Sequence, residues 1–317
     1  MNYKEIYEKL QKIKANINKV IIGKSNEIDY ILTAFVAGGH VLLEDTPGTG
    51  KTVMAKSLAK SFGGAFSRIQ FTPDLLPADV TGLNIYNQKS ESFQFIKGPA
   101  FTNILLADEI NRATPRTQSS LLECMEEKQI SVDGTTYRLQ EPFFVIATQN
   151  PIETAGTFPL PEAQLDRFMI QISLGLPTIE EEIAIASRML ANSPLERLEP
   201  VCQVEELLEM RKTVQTVYVH PDLMKYLVEV VQATRNHHMV ESGVSPRGTI
   251  AFLRACQVYA ILHERDFITP EDVKDLFIPV CGHRTLFHAG VTKKEEFNIL
   301  TDILSSIHVP SEDWKEK

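Results

Sequence analysis

The sequence predicts an α/β fold, a parallel sheet flanked by helices, followed by an all-helical C-terminal domain. Short apolar runs at 40–44, 66–71, 103–107, 143–148 and 168–172 have strand length, and helical patterns lie between most of them. That alternation indicates a parallel sheet covered on both faces. After residue 175 the strand signal disappears, and helical spacing recurs at about 179–191, 203–214, 221–236, 247–263, 270–277 and 293–305.

Each element has a local reason. Ile6, Leu10, Ile13 and Ile17 fall at helical spacing among Lys and Glu, giving an amphipathic first helix over 3–19. A second helix starts near Asn26, with Ser25 as its cap. Helices are expected at 51–62 and at 115–127, where Pro115 suits a first turn. Two insertions interrupt the alternation. Residues 72–101 hold Pro73, Pro77, Gly82, Gly98 and Pro99 and read as a long loop with short elements. Residues 129–139 carry an Asp133-Gly134 turn between alternating apolar residues, the signature of a β-hairpin. The tract 190–196, Leu-Ala-Asn-Ser-Pro-Leu-Glu, reads as a hinge, dividing the chain into domains at 1–190 and 195–317.

Composition narrows the classes of function. The chain has 317 residues, 43% hydrophobic and 23% charged, ordinary for a globular protein long enough for two domains. A formal net charge of −9 argues against a dedicated nucleic-acid binder. Cys124, Cys202, Cys256 and Cys281 are scattered without metal spacing, so they read as buried thiols of a reducing compartment. No run approaches the ~20 apolar residues of a membrane span, and the polar start Met1-Asn2-Tyr3-Lys4-Glu5 is no signal peptide. The expectation is a cytoplasmic protein without direct membrane insertion.

The most informative stretch is 43–52, Leu-Glu-Asp-Thr-Pro-Gly-Thr-Gly-Lys-Thr, a strand end, a glycine loop and a helix start. Gly48 and Gly50 let successive N–H groups turn inward at a polyphosphate, and the following helix dipole favours the same anion. Lys51 would reach the β- and γ-phosphates and Thr52 would ligate Mg²⁺. Asp45 stands where this loop pattern usually begins with a third glycine. Downstream, Asn103–Glu109 is a buried-strand run ending in two carboxylates. Asp108 would hold the Mg²⁺ shell, and Glu109 would polarise the water attacking the γ-phosphate. An ordinary strand ending in a solvated acidic turn is the plainer alternative for this run alone.

Three further residues fit the same chemistry. Asn150 ends a strand at the carboxyl edge of the sheet, where ligands bind in open α/β folds, and would hold the attacking water with Glu109. Its plain alternative is a turn-forming Asn before Pro151. Arg167 follows a short helix and precedes the last strand, placing a guanidinium within reach of a γ-phosphate, or simply an ion pair with Asp166. Arg247 sits in a first helical turn after the cap Ser245 and Pro246, a position where a cation needs an anion to offset the helix dipole, or is merely solvated.

Taken together these phrases resemble the AAA+ ATPases, and more narrowly the MoxR family, over almost the whole chain. The resemblance rests on 71–82 (Phe-Thr-Pro-Asp-Leu-Leu-Pro-Ala-Asp-Val-Thr-Gly), on Ala107-Asp108-Glu109-Ile110-Asn111-Arg112-Ala113, and on Leu121-Leu122-Glu123-Cys124-Met125-Glu126-Glu127. Ala147-Thr148-Gln149-Asn150-Pro151, the run 160–168 and Ser245-Pro246-Arg247 complete it. It implies a sensor-1 role for Asn150, a sensor-2 role for Arg247 and an arginine-finger role for Arg167 on a neighbouring subunit, with Arg112 and Arg116 as competitors for the last. It implies ATP and Mg²⁺ as ligands, with Asp45, Thr46, Pro47, Gly48, Thr49, Gly50, Lys51, Thr52 and Val53 around the phosphates and Ile22-Gly23 at the adenine. A hexameric ring, a client protein, and a partner with a von Willebrand A-type domain are the implied assemblies. Chaperone-like remodelling, such as metal cofactor insertion, is the implied work. A nucleic-acid-stimulated motor or loader is the rival, disfavoured by the acidic charge.

Overall fold

The computed structural model describes residues 1–151, 156–190, 194–311 and 314. Helices α1 (Tyr3–Asn18) and α2 (Ser25–Ala37) precede strand β1 (Val41–Glu44) and helix α3 (Lys51–Ser61). Strand β2 (Phe66–Gln70) is followed by the helical turn α4 (Pro77–Thr81) and a hairpin of β3 (Gly82–Asn87) and β4 (Ser92–Lys97). Then come β5 (Ile104–Asp108), α5 (Pro115–Glu127), the hairpin β6 (Gln129–Val132) and β7 (Thr135–Arg138), β8 (Phe144–Gln149), α6 (Glu162–Leu165) and β9 (Ile170–Ile172). The remainder is helical, α7 (Ile179–Leu190), α8 (Val204–Val214), α9 (Pro221–Asn236), α10 (Pro246–Leu262), α11 (Pro270–Cys281) and α12 (Lys293–Ser306). One small antiparallel pair, β10 (Val240–Ser242) and β11 (Leu286–Phe287), is set among them.

Among the described residues, five strands form one parallel sheet in the order β2-β5-β8-β1-β9. Its central strands are apolar over most of their length because both faces are covered, and the side-chain period of two sorts them. Val41, Leu43, Ile104, Leu106, Phe144 and Ile146 enter one core with α1, α2, α3 and the helical C-terminal region. Leu42, Leu105, Ala107, Val145 and Ala147 enter a second core under α5 and the insertions. The apolar stripe of α1 is buried at Ile6, Leu10, Ile13 and Ile17, and its start is closed by a capping box between Asn2 and Glu5.

The parallel sheet and the helices agree with the sequence reading, and two features depart from it. Residues 72–101, expected as a loop with short elements, contain a fully paired six-residue hairpin from Gly82↔Lys97 to Asn87↔Ser92. Glycines mark its base because the backbones close there: Gly82 has φ +95°, and a Cβ would overlap the Ile96 carbonyl oxygen. The strand signal also does not end at 175, since β10 and β11 pair inside the helical region; at three and two residues they are too short to leave a pattern. Of the expected hinge at 190–196, residues 191–193 lie outside the described residues, and Pro194–Arg197 forms a 3₁₀ turn.

The two hairpins pack together. Phe95 and Tyr137 stack with centroids 4.2 Å apart, and Asn84 donates to the Asp133 carboxylate at 2.7 Å. The outer face of the longer hairpin stays uncovered, with Leu83, Ile85 and Ile96 exposed, and at the hairpin's end Phe93, on the other face beside Tyr86, is 74% exposed. No helix of the described residues is long and apolar enough to cross a membrane.

Candidate functional site

The loop after β1 curls as its glycines permit. Gly48 and Gly50 have φ of +90° and +89°, and a Cβ at either would meet nothing within 4 Å, so the demand is on the backbone and not on space. Lys51 opens α3, and its ammonium donates to the carbonyl oxygens of Asp45 and Thr46, each at 3.1 Å. A cavity of about 330 Å³ lies at the carboxyl edge of the sheet, lined by the loop, Lys51, Thr52, Arg68, Asp108, Glu109 and Asn150. A bent backbone cradle, a lysine, a hydroxyl and a carboxylate form a donor set suited to a polyphosphate and its magnesium ion.

The acidic pair is held in detail. Asp108 is 6% exposed and accepts from Thr148 Oγ1 at 3.0 Å, while its other oxygen takes both Nε (2.8 Å) and Nη2 (2.7 Å) of Arg68. Glu109 has left-handed backbone angles, φ 55° and ψ 49°, which turn it off the strand line. Its N–H donates to Thr148 Oγ1 at 2.9 Å, and its carboxylate meets Arg112 Nη1 at 3.3 Å. Thr148 therefore fixes both acids at once. Asn150, 7% exposed, lines the same cavity beside Glu109.

Asp45 lines the cavity, and its carboxylate is engaged on the side away from Lys51. Its carboxylate accepts from Ser173 Oγ at 2.6 Å and from the N–H groups of Leu174 and Gly175 at 2.8 and 3.0 Å. That ties the loop entry to the chain after β9 and leaves only the Asp45 backbone carbonyl facing Lys51. Pro47 and Val53 line the cavity, whereas Thr46 and Thr49 shape the loop, the Thr49 hydroxyl donating to the Thr46 carbonyl at 3.5 Å. Ile22 and Gly23 are not brought to this cavity. Gly23 instead faces the Glu181 carboxylate at the start of α7.

The two arginines lie elsewhere. Arg167 and Arg247 line a second cavity of about 650 Å³, reached from Gly38–His40 ahead of β1 and from the segment ahead of β9. Those residues precede the parallel neighbours β1 and β9, and the phosphate loop leaves the far end of β1, so this cavity belongs to the amino edge of the sheet. Glu126, near the end of α5, joins the arginines: Oε1 accepts from Arg247 Nη1 at 3.0 Å, and Oε2 lies 3.2 Å from Arg167 Nε. Arg247 thus lines a different cavity from the phosphate loop of its own chain. Arg112 is engaged with Glu109 of its own chain, and Arg116 is exposed.

Several residues at these sites were not singled out from sequence. Arg68 lay at an alternate position of an apolar strand, and its only signal was a charge where a hydrophobic residue was due. Thr148 stood inside a recognised phrase without a role. Glu126, Asp166 and Arg284 act through contacts between residues far apart in the chain, which spacing does not reveal.

A family model described as the ATPase family associated with various cellular activities (AAA) matches residues 40–170, and an AAA lid domain model matches 232–303. The YeaC protein of Bacillus subtilis is 48% identical over 98% of each chain. Chaperone MoxR1 of Mycobacterium tuberculosis is 40% identical, over 87% of this chain and 75% of its own length. Protein MoxR of Paracoccus denitrificans is 28% identical over 93% of this chain and 94% of its own. A crystal structure from Cytophaga hutchinsonii, described as a candidate ATPase, matches with a TM-score of 0.89 at 37% identity, covering 98% of this chain and 97% of that one.

Proposed function

The chain belongs to the MoxR family of AAA+ ATPases, and we propose that it is a Mg²⁺-dependent ATP hydrolase whose active sites are completed between neighbouring copies in a ring, most simply a hexamer. Lys51 and the loop N–H groups bind the phosphates, and Thr52 with Asp108 holds the magnesium, which supplies charge neutralisation on the phosphate oxygens. Glu109 takes the proton of the attacking water, and Asn150 orients that water. Arg167 and Arg247 act on the nucleotide of the adjacent copy.

The observation that carries this reading is the pairing of Arg167 and Arg247 on Glu126, at the sheet edge opposite the phosphate loop of the same chain. A carboxylate shared by two guanidiniums is replaceable by a γ-phosphate, which presents the same fork to both. The work done with the hydrolysis is remodelling of a client protein, with a von Willebrand A-type protein as the adaptor the family implies. The uncovered Leu83, Ile85 and Ile96 of the longer hairpin offer an apolar face for a client.

Arg167→Ala tests the reading. Turnover falls by about 10³-fold while ATP affinity stays within a few-fold, because a finger acts on the transition state of another subunit's nucleotide. Arg247→Ala moves in the same direction. If affinity for ATP collapses along with turnover in either variant, that arginine serves its own chain and the composite site is wrong.

A further inference from the structure

We infer that Arg284 is a positioning residue which, through Asp166, holds Arg167 and Arg247 in one rigid unit; this rests on the composite-site reading above. Arg284 follows α11 in the helical region and is nearly enclosed, its side chain 2% exposed. Its guanidinium forks across the segment that carries Arg167. Nε donates to Asp166 Oδ1 at 2.7 Å, Nη2 to the carbonyl oxygens of Phe168 at 2.6 Å and Asp166 at 3.2 Å, and Nη1 to that of Met169 at 3.0 Å. Nη1 also donates to the Val280 carbonyl in α11. The segment 166–169 is thus fixed to α11 by four contacts from one planar group, a geometry that lysine does not reproduce.

The second arginine is tied to the same carboxylate. Ser245 caps α10, accepting from the Gly248 N–H at 3.1 Å, and donates to Asp166 Oδ2 at 2.9 Å. Arg247 lies two residues further on, in the first turn of that helix. Asp166 therefore has one oxygen on the pin from α11 and the other on the cap of the helix bearing Arg247. Gly248 makes the approach possible, since a Cβ there would stand 2.8 Å from Arg284 Cδ and 2.6 Å from Val244 Cγ1. Neither Asp166 nor Arg284 reaches the phosphate cavity of the same chain. The arrangement has a consequence for motion: when the helical region moves relative to the sheet, the two arginines move with α10 and α11 together.

The test is complementation between variants, read with ATP affinity. Asp166→Asn keeps the shape and removes the charge, and Arg284→Lys keeps the charge and removes the fork. Each alone is expected to lose about 10²-fold in turnover, the cost of a misplacement on the scale of 1 Å, with binding of a fluorescent ATP analogue changed less than about threefold. Mixed with Lys51→Ala protein, which lacks a working phosphate loop but keeps its arginines, each recovers on the order of a quarter of the wild-type rate, the fraction of sites pairing an intact loop with an intact donor. Arg167→Ala mixed with Lys51→Ala is the control. If the control recovers but the Asp166→Asn and Arg284→Lys mixtures do not, the pin serves the fold or its own site and the inference is overturned. If the control also fails to recover, the composite-site reading falls and the inference with it.

Discussion

The phosphate cavity and the arginine cavity lie at opposite edges of one sheet and are made in opposite ways. The first is built from chain neighbours: a glycine loop leaving β1, the acids ending β5, and Asn150 just beyond β8. Its geometry is carried by backbone, with left-handed angles at Gly48, Gly50 and Glu109. The second is assembled from residues around 40, 126, 167, 247 and 284, and its geometry is carried by side chains, in the enclosed Arg284–Asp166 pair and the partly exposed pairs of Glu126 with Arg167 and Arg247. The difference teaches that the phosphate loop is shaped by the backbone of a few short motifs, whereas the arginine group is placed by side chains drawn from elements far apart in the chain.

The sharpest way to break that contrast is at Glu109. If chemistry is confined to the phosphate cavity of each chain, Glu109→Gln lowers turnover by about 10³-fold and leaves ATP bound, because the amide accepts no proton from water. Bound nucleotide recovered after desalting, together with a native mass near six subunits in Mg·ATP, is the expected result. A variant that turns over at the normal rate removes Glu109 from the chemistry. A persistent monomer with ATP bound removes the ring.

How far each cavity was legible follows the same division. The five strands, the glycine loop and the two acids could be read because each depends on residues adjacent in sequence, and the Asp133-Gly134 turn announced the shorter hairpin in the same way. The longer hairpin was read as loop because its strands carry apolar residues on both faces, one packed by Phe95 on Tyr137 and one exposed, so the alternation that marks a half-buried strand is blurred. Asp45 was placed among the phosphate ligands by its position in the motif. Only the chain returning at 173–175 reveals that its carboxylate is spent on structure. Arg167 and Arg247 were recognisable individually, while Glu126, Asp166 and Arg284, which bring them together, were not.

The arginine end carries a second, smaller signature, in its response to acid. His40 lies beneath the arginine cavity, 5% exposed, its Nδ1 accepting from the Val145 N–H at 3.0 Å and Nε2 pairing with the Met125 carbonyl at 3.2 Å. Burial above all pushes its pKa down to about 4, with Arg211, Lys128 and Arg247 acting in the same direction against the Met125 bond. The folded chain thus keeps His40 neutral where the unfolded chain binds a proton, so stability present above pH ~6.5 is lost as the pH falls toward 4. The amount is about 3 kcal/mol from this one group. His40→Gln, which cannot titrate, is expected to flatten the denaturant midpoint between pH 6.5 and 4. Equal slopes in the two proteins would mean that His40 is not what makes this end sensitive to acid.

The smallest effect sits at the phosphate end, where the contrast is least complete. Here too a side-chain ion pair is present, with Arg68 holding Oδ2 of Asp108, the carboxylate that would hold a magnesium ion. Arg68 is half-exposed, so the pair is worth only about 1 kcal/mol, a few-fold in a competing equilibrium. Arg68→Met is therefore expected to lower the Mg²⁺ concentration at which a fluorescent ADP analogue is half-maximally bound by about threefold to fivefold. The direction matters more than the size. If Arg68 and the metal compete, removing the cation frees Asp108 and tightens the metal. If the Mg²⁺ requirement is unchanged or rises, Arg68 stays on Asp108 in the loaded site and orients it, and the phosphate cavity, like the arginine cavity, depends on a pinned side chain.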